Sequence, residues 1–139
     1  MRKGTYILAI SLREPFEGEV GSLGTVFLEK GEYCYVGSAM NGLDQRIERH
    51  LCRNKRIRWH IDRLTSFEYN VKAYESYPDS IPECRLAAIA ESCGMEPAVK
   101  GFGCSDCKCQ THLFRANGDS MRELLSEAGL KAFCSKASR

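Results

Sequence analysis

Two tyrosines, each close to a glycine in a strand-like run, constrain the fold of this chain more than any other feature. Gly4-Thr5-Tyr6 leads into Ile7-Leu8-Ala9-Ile10, and Thr5 to Leu12 reads as a buried strand. Tyr35-Val36-Gly37 ends a second such run. Thr25 to Leu28 and Tyr33 to Val36 flank Glu29-Lys30-Gly31-Glu32, a turn signal that predicts a hairpin. An amphipathic helix should follow over Leu43 to Arg53, with Asn41 as its cap. Leu43, Ile47 and Leu51 form its apolar stripe at i, i+4 and i+8, and Arg46, His50 and Arg53 flank that stripe. The pattern thus sets two phenol hydroxyls on strands, facing a helix that offers an arginine and a histidine.

Downstream, Trp59 to Leu64 reads as a short helix and Tyr69 to Tyr74 as a strand. Ser80 should cap a helix over Ile81 to Cys93, with Pro82 in its first turn and Gly94 as its stop. Val99 to Phe102 and Thr111 to Phe114 are strand candidates around a Gly/Cys-rich turn. Ser120 and Glu123 have the spacing of a capping box for a last helix that Gly129 ends. The sum is an α/β (α+β) domain, a small central mixed or antiparallel sheet flanked by helices.

Charge is distributed unevenly. Residues 45–63 hold seven basic side chains against two acidic ones, whereas residues 66–91 hold two against five. A basic block of Arg49, Arg53, Lys55, Arg56 and Arg58, with His60, suits a polyphosphate partner such as DNA; a solvated helix–loop surface is the alternative. No apolar run approaches the roughly 20 residues of a membrane span, and no clean signal-peptide cleavage site follows the first strand. The eight cysteines, without a secretion signal, are expected as reduced thiols in a cytoplasm.

The candidate side chains each have two readings. Tyr6 and Tyr35 are either packed aromatics or phenols that orient a water; an ordinary phenol, with a pKa near 10, is a poor base unless a cation such as Arg46 lowers it. Arg46 can fork onto two phosphate oxygens or simply cover a helix surface. His50, or alternatively His60 beside Trp59, is a proton carrier or a hydrogen-bonded structural residue. Glu83 lies three residues after Ser80, the spacing of a capping box, and a carboxylate engaged there is not available to a metal. Cys104, Cys107, Cys109 and His112 have the chemistry of a structural Zn²⁺ site, though crowded for one; a thiol turn or a packed loop fits as well. Cys34, Cys52, Cys84, Cys93 and Cys134 are expected to be small core residues.

The two tripeptides resemble the signature of the GIY-YIG endonuclease superfamily. Tyr35-Val36-Gly37-Ser38-Ala39-Met40, Arg46-Ile47-Glu48-Arg49-His50-Leu51, Trp59-His60-Ile61-Asp62, Glu83-Cys84-Arg85-Leu86-Ala87 and Gly101-Phe102-Gly103-Cys104-Ser105-Asp106-Cys107 resemble its branch sometimes fused to endonuclease III-type DNA glycosylases. Thr5 departs from the superfamily's Ile, and the 28 residues from 7 to 34 exceed its usual spacing, which implies an inserted hairpin. The resemblance implies a GIY-YIG-like domain over 1–118 and a C-terminal helical extension over 119–139. It also implies a DNA endonuclease of repair or recombination: Tyr6, Tyr35, Arg46, His50 and Glu83 catalytic, Glu83 holding Mg²⁺ or Mn²⁺, and a glycosylase or other repair protein as partner. The rival expectations are a nucleic-acid-binding module without cleavage and a zinc or thiol interaction protein centred on Cys104 to His112.

Overall fold

A computed structural model describes residues 2–52, 55–57, 59–67, 70–104 and 109–133. Among these residues, eight strands and four α-helices follow in the order β1 (Gly4–Leu12), β2 (Phe16–Glu19), β3 (Thr25–Leu28), β4 (Gly31–Ala39), α1 (Leu43–Leu51), α2 (His60–Phe67), β5 (Val71–Ser76), α3 (Glu83–Ser92), β6 (Glu96–Pro97), β7 (Leu113–Ala116), α4 (Gly118–Glu127) and β8 (Lys131–Ala132). Six strands form one antiparallel sheet in the order β6-β7-β4-β1-β5-β8, and β2 pairs with β3 in a separate ribbon. This is the α+β class expected from the sequence.

The sheet is covered on both faces, so its two central strands lose the simple alternation of a half-exposed strand. Tyr6, Leu8, Ile10 and Leu12 of β1, with Tyr33 and Tyr35 of β4, pack with Leu43, Ile47, Ile61 and Leu64 of α1 and α2. Ile7, Cys34 and Val36 point the other way, into a core with Leu86, Ala87 and Ala90 of α3 and Leu124 of α4. The period-2 geometry of a strand therefore assigns both tyrosines to the α1–α2 layer.

Several local expectations need correction. The run 25–28 pairs with 16–19, and β4 pairs with β1 and β7, so the turn signal at 29–32 joins two sheets and closes no hairpin; the hairpin inserted between the tripeptides is β2–β3. Helix α1 is capped by Gly42, at φ 129°, instead of Asn41. Ser80 does not cap α3: its hydroxyl donates to the Ser76 carbonyl, and Pro82 holds the cap position without a side-chain bond. The capping box of α4 is formed by Asn117 and Ser120, three residues before the expected pair, because Asn117 Oδ1 accepts from the Ser120 amide at 2.8 Å. Residues 99–102 form turns, and the short strand β6 lies earlier. After α4 the chain returns to the main sheet, where β8 pairs with β5.

Candidate active site

The β1–β4 register places Tyr6 opposite Gly37. A Cβ at Gly37 would overlap the Tyr6 ring, so the glycine of the second tripeptide is the space into which the tyrosine of the first one lies. Gly4 serves a similar purpose, since a Cβ there would meet the Ser76 carbonyl and the Ser80 hydroxyl. That close approach brings the segment before α3 against the start of β1, where Thr5 Oγ1 donates to the Ile81 carbonyl at 2.6 Å.

Around this strand-end corner the candidate side chains assemble. The Tyr6 hydroxyl and Nε2 of His50 are 2.6 Å apart, and both residues are almost fully buried. Tyr6, Tyr35 and His50 form an aromatic triangle with ring centroids 5.3 to 6.5 Å apart. Arg46 donates from Nη1 to the Ser38 carbonyl at 3.0 Å, which anchors its guanidinium beside the end of β4. Its guanidinium carbon lies 4.4 Å from the centroid of the Trp59 ring, and that of Arg49 lies at the same distance.

Glu83 arrives by a different route. Helix α3 packs on the face opposite the tyrosines, but Glu83 is its first residue and lies two residues beyond the contact with Thr5. Its carboxylate is among the charges that act on both phenols. Its Oε1 is 3.6 Å from Nδ1 of His112, and the side chain keeps 29% of its surface exposed. With no capping box on α3, that competing use of the carboxylate falls away.

Electrostatics sets the resting protonation. Burial pushes the pKa of Tyr6 up; Arg46 pulls it down, but less strongly. Burial likewise raises Tyr35 well above the ordinary phenol value. Arg46 acts in the expected direction on Tyr6 yet leaves no phenolate near neutrality. Burial, reinforced by Lys55, lowers His50 to about 3, so its imidazole is neutral over the physiological range. A neutral ring that accepts from Tyr6 at Nε2 carries its proton on Nδ1, and that atom has no hydrogen-bond partner among the described residues.

The basic block separates into distinct roles. Arg49 grips the fully buried Asp62 with two bonds, of 2.6 and 2.9 Å, and also donates to the Arg56 carbonyl. Lys55 donates to the His50 carbonyl and to Thr65 Oγ1, and half-burial brings its pKa down to about 8. Nδ1 of His60 accepts from the Gly103 amide at 3.1 Å, and the ring packs edge-on against Phe102. These three are built into the layer around the site, while the Arg56 side chain is exposed. Arg53 and Arg58 lie outside the described residues. Asp62 is the residue that sequence reasoning passed over, although it is one of only two acids in the basic block.

Beside Glu83 is a possible metal-binding group. The ligand atoms of Cys84, Cys109 and His112 lie within 4.8 Å of one another. Cys107 is outside the described residues, and the Cys104 thiol donates to the Phe102 carbonyl at 3.5 Å. The cysteines expected in the core divide: Cys34 and Cys93 are buried, whereas Cys52 and Cys84 are exposed. Cys134 is not among the described residues. No helix among the described residues is long and apolar enough to cross a membrane.

Comparison with known proteins adds one finding. No curated protein and no solved structure shows a significant match. A family model covers residues 5–133, and the chain belongs to that family, described as the domain of unknown function DUF123.

Proposed function

We propose that this DUF123 chain is a GIY-YIG-like DNA endonuclease that hydrolyses a phosphodiester with a divalent metal at Glu83. The observation that carries the reading is the Tyr6–His50 hydrogen bond, at 2.6 Å, beside Arg46 and within the field of Glu83. A protonated phenol backed by a neutral, buried imidazole is a preformed proton path. Tyr6 accepts the proton of the attacking water while its own passes to Nε2 of His50, and as the ester P–O bond breaks the departing oxygen takes a proton from solvent. Tyr35, its ring 6.5 Å from that of Tyr6, orients that water. Arg46, stacked on Trp59 and tied to the Ser38 carbonyl, forks onto the phosphate and offsets the charge of the pentavalent transition state.

Glu83 suits Mg²⁺ or Mn²⁺: it offers hard carboxylate oxygens, partly open to water, and one carboxylate completed by waters and substrate oxygens is an ordinary arrangement for such ions. The ion supplies charge neutralisation at the non-bridging oxygens. In this reading the protein works on DNA in the cytoplasm, in repair or recombination, alone or with a glycosylase or other repair protein.

A second reading, a nucleic-acid-binding module without cleavage, is favoured by the burial that keeps both phenols protonated near neutrality, although Arg49, Lys55 and His60 of the basic block are engaged within the fold. Supercoiled plasmid incubated with Mg²⁺ separates the two. The nuclease converts it to the nicked form; the binding module retards it intact, with an affinity that falls by a log–log slope of about 0.9 per phosphate contact as salt rises.

A further inference from the structure

We infer that Cys84, Cys109 and His112 form a Zn²⁺ site that staples the loop before β7 to the first turn of α3, independently of the nuclease reading. The ligands come from three places: the second residue of α3, the loop, and the residue preceding β7. Two thiols and an imidazole are a soft set that selects zinc over the hard cations a lone carboxylate prefers. Bonds of about 2.3 Å to sulfur and 2.0–2.1 Å to nitrogen put neighbouring ligands of a tetrahedral zinc roughly 3.5–4 Å apart. The three ligand atoms already lie within 4.8 Å of one another, so side-chain adjustments of about an ångström close the site.

The rest of the fold is arranged to hold these ligands. The His112 amide donates to the Phe102 carbonyl and its carbonyl accepts from the Val36 amide, both at 2.9 Å, so its backbone is fixed to the sheet. The Gly101 amide donates to the Gln110 carbonyl at 2.8 Å, which closes the loop that carries Cys109. Cys84 is exposed on a helix whose other face is core, an unusual place for a thiol with only a packing role. The ligand set therefore differs from the contiguous Cys104-to-His112 motif: Cys84, distant in sequence, takes a place in it. These three are the ligands found among the described residues. Glu83 follows the zinc without ligating it, because the metal fixes the turn of helix on which it stands.

Untagged protein from zinc-replete cells tests this by elemental analysis. One zinc per chain is expected, lost in Cys84→Ser and Cys109→Ser and retained in Cys104→Ser and Glu83→Gln. Zinc removed by a chelator and replaced by Co²⁺ should give the visible bands of a tetrahedral site and a thiolate charge-transfer band. This arm uses wild-type protein and needs no variant to fold. Melting temperature should fall on zinc removal and recover on its return. Folded wild-type protein without zinc or Co²⁺ bands overturns the proposal, as does full zinc content in Cys84→Ser or its loss in Cys104→Ser or Glu83→Gln. Because the readout is metal content, a protein that holds zinc but cuts no DNA refutes only the nuclease reading.

Discussion

The two helical layers of this protein differ in what they bury. Between α3, α4 and the sheet the central cluster is apolar, with Ile7, Val36, Leu86, Ala90, Phe114 and Leu124 at its centre, and buried polar groups, Ser120 and His112 beside Glu83, stand at its edge. Between α1, α2 and the sheet, the buried set also includes His50, Asp62 and Thr65, together with the Tyr6 and Tyr35 hydroxyls. A buried polar group costs stability unless it is paired, and a buried carboxylate costs more. Packing alone gives no reason to place a carboxylate, an imidazole and two phenols in one layer. On the proposed function, the α1–α2 layer would carry the chemistry and the α3–α4 layer chiefly stability, with Glu83 as the contribution of the apolar side to the polar one.

The largest effect expected from this division is on cleavage. Arg46→Ala should reduce Mg²⁺-dependent nicking by about 10²–10³-fold, the usual loss when one transition-state charge donor goes, while thermal unfolding of the same preparation changes little. A proportionate loss of folded protein would mean that Arg46 is a structural residue and the layers are not divided as described.

Next, Leu86→Ala in the apolar layer should lower unfolding free energy by about 3 kcal/mol through the cavity it leaves. Nicking per folded molecule should stay at the wild-type level. Denaturant melts paired with the plasmid assay check both halves, and a fall in specific activity would show the two layers to be coupled.

Acid should act most strongly on the polar layer. His50 has a folded pKa below its unfolded one, so the unfolded chain binds more protons as pH falls, and the stability present above about pH 6.5 is lost on the way toward pH 3. Between pH 7 and 5 the loss should be about 2 kcal/mol from this residue. His60 and His112, lowered by burial in the same direction, add to it. Urea melts across that range, repeated on His50→Gln, should show the slope diminish in the variant; an unchanged slope would place the acid sensitivity elsewhere.

The smallest effect concerns the cap of α4. Asn117→Ala removes the side-chain acceptor for the Ser120 amide and should cost about 1 kcal/mol, with no change in cleavage.

These features were not equally legible in the sequence. The tyrosines, Arg46 and His50 could be read because period-2 and period-3.6 patterns fix which side of a strand or helix a residue takes. The role of Gly37 was not legible, since only the strand register shows that it makes room for Tyr6. Asp62 could not be read, since its partner Arg49 is 13 positions away on another helix and no local pattern encodes that pairing. Cys84 looked like a core residue because a cysteine on an amphipathic helix usually is one; its exposure depends on where α3 begins. That start was misplaced for a local reason: Ser80 has the right spacing for a capping box, but its hydroxyl is taken by the Ser76 carbonyl. The strand β8, two residues long, carries too little pattern to detect.

A phosphodiester-cutting centre at this corner depends on Glu83, the one proposed catalytic residue that belongs to the opposite layer. Supercoiled plasmid should be nicked by the wild-type chain in Mg²⁺ and left intact by Glu83→Ala of equal melting temperature, while both proteins retard the DNA equally when the metal is withheld. Nicking by Glu83→Ala at the wild-type rate, or DNA retained but uncut by the wild-type chain with Mg²⁺ and Mn²⁺ alike, would contradict a phosphodiester-cutting centre at this corner of the sheet.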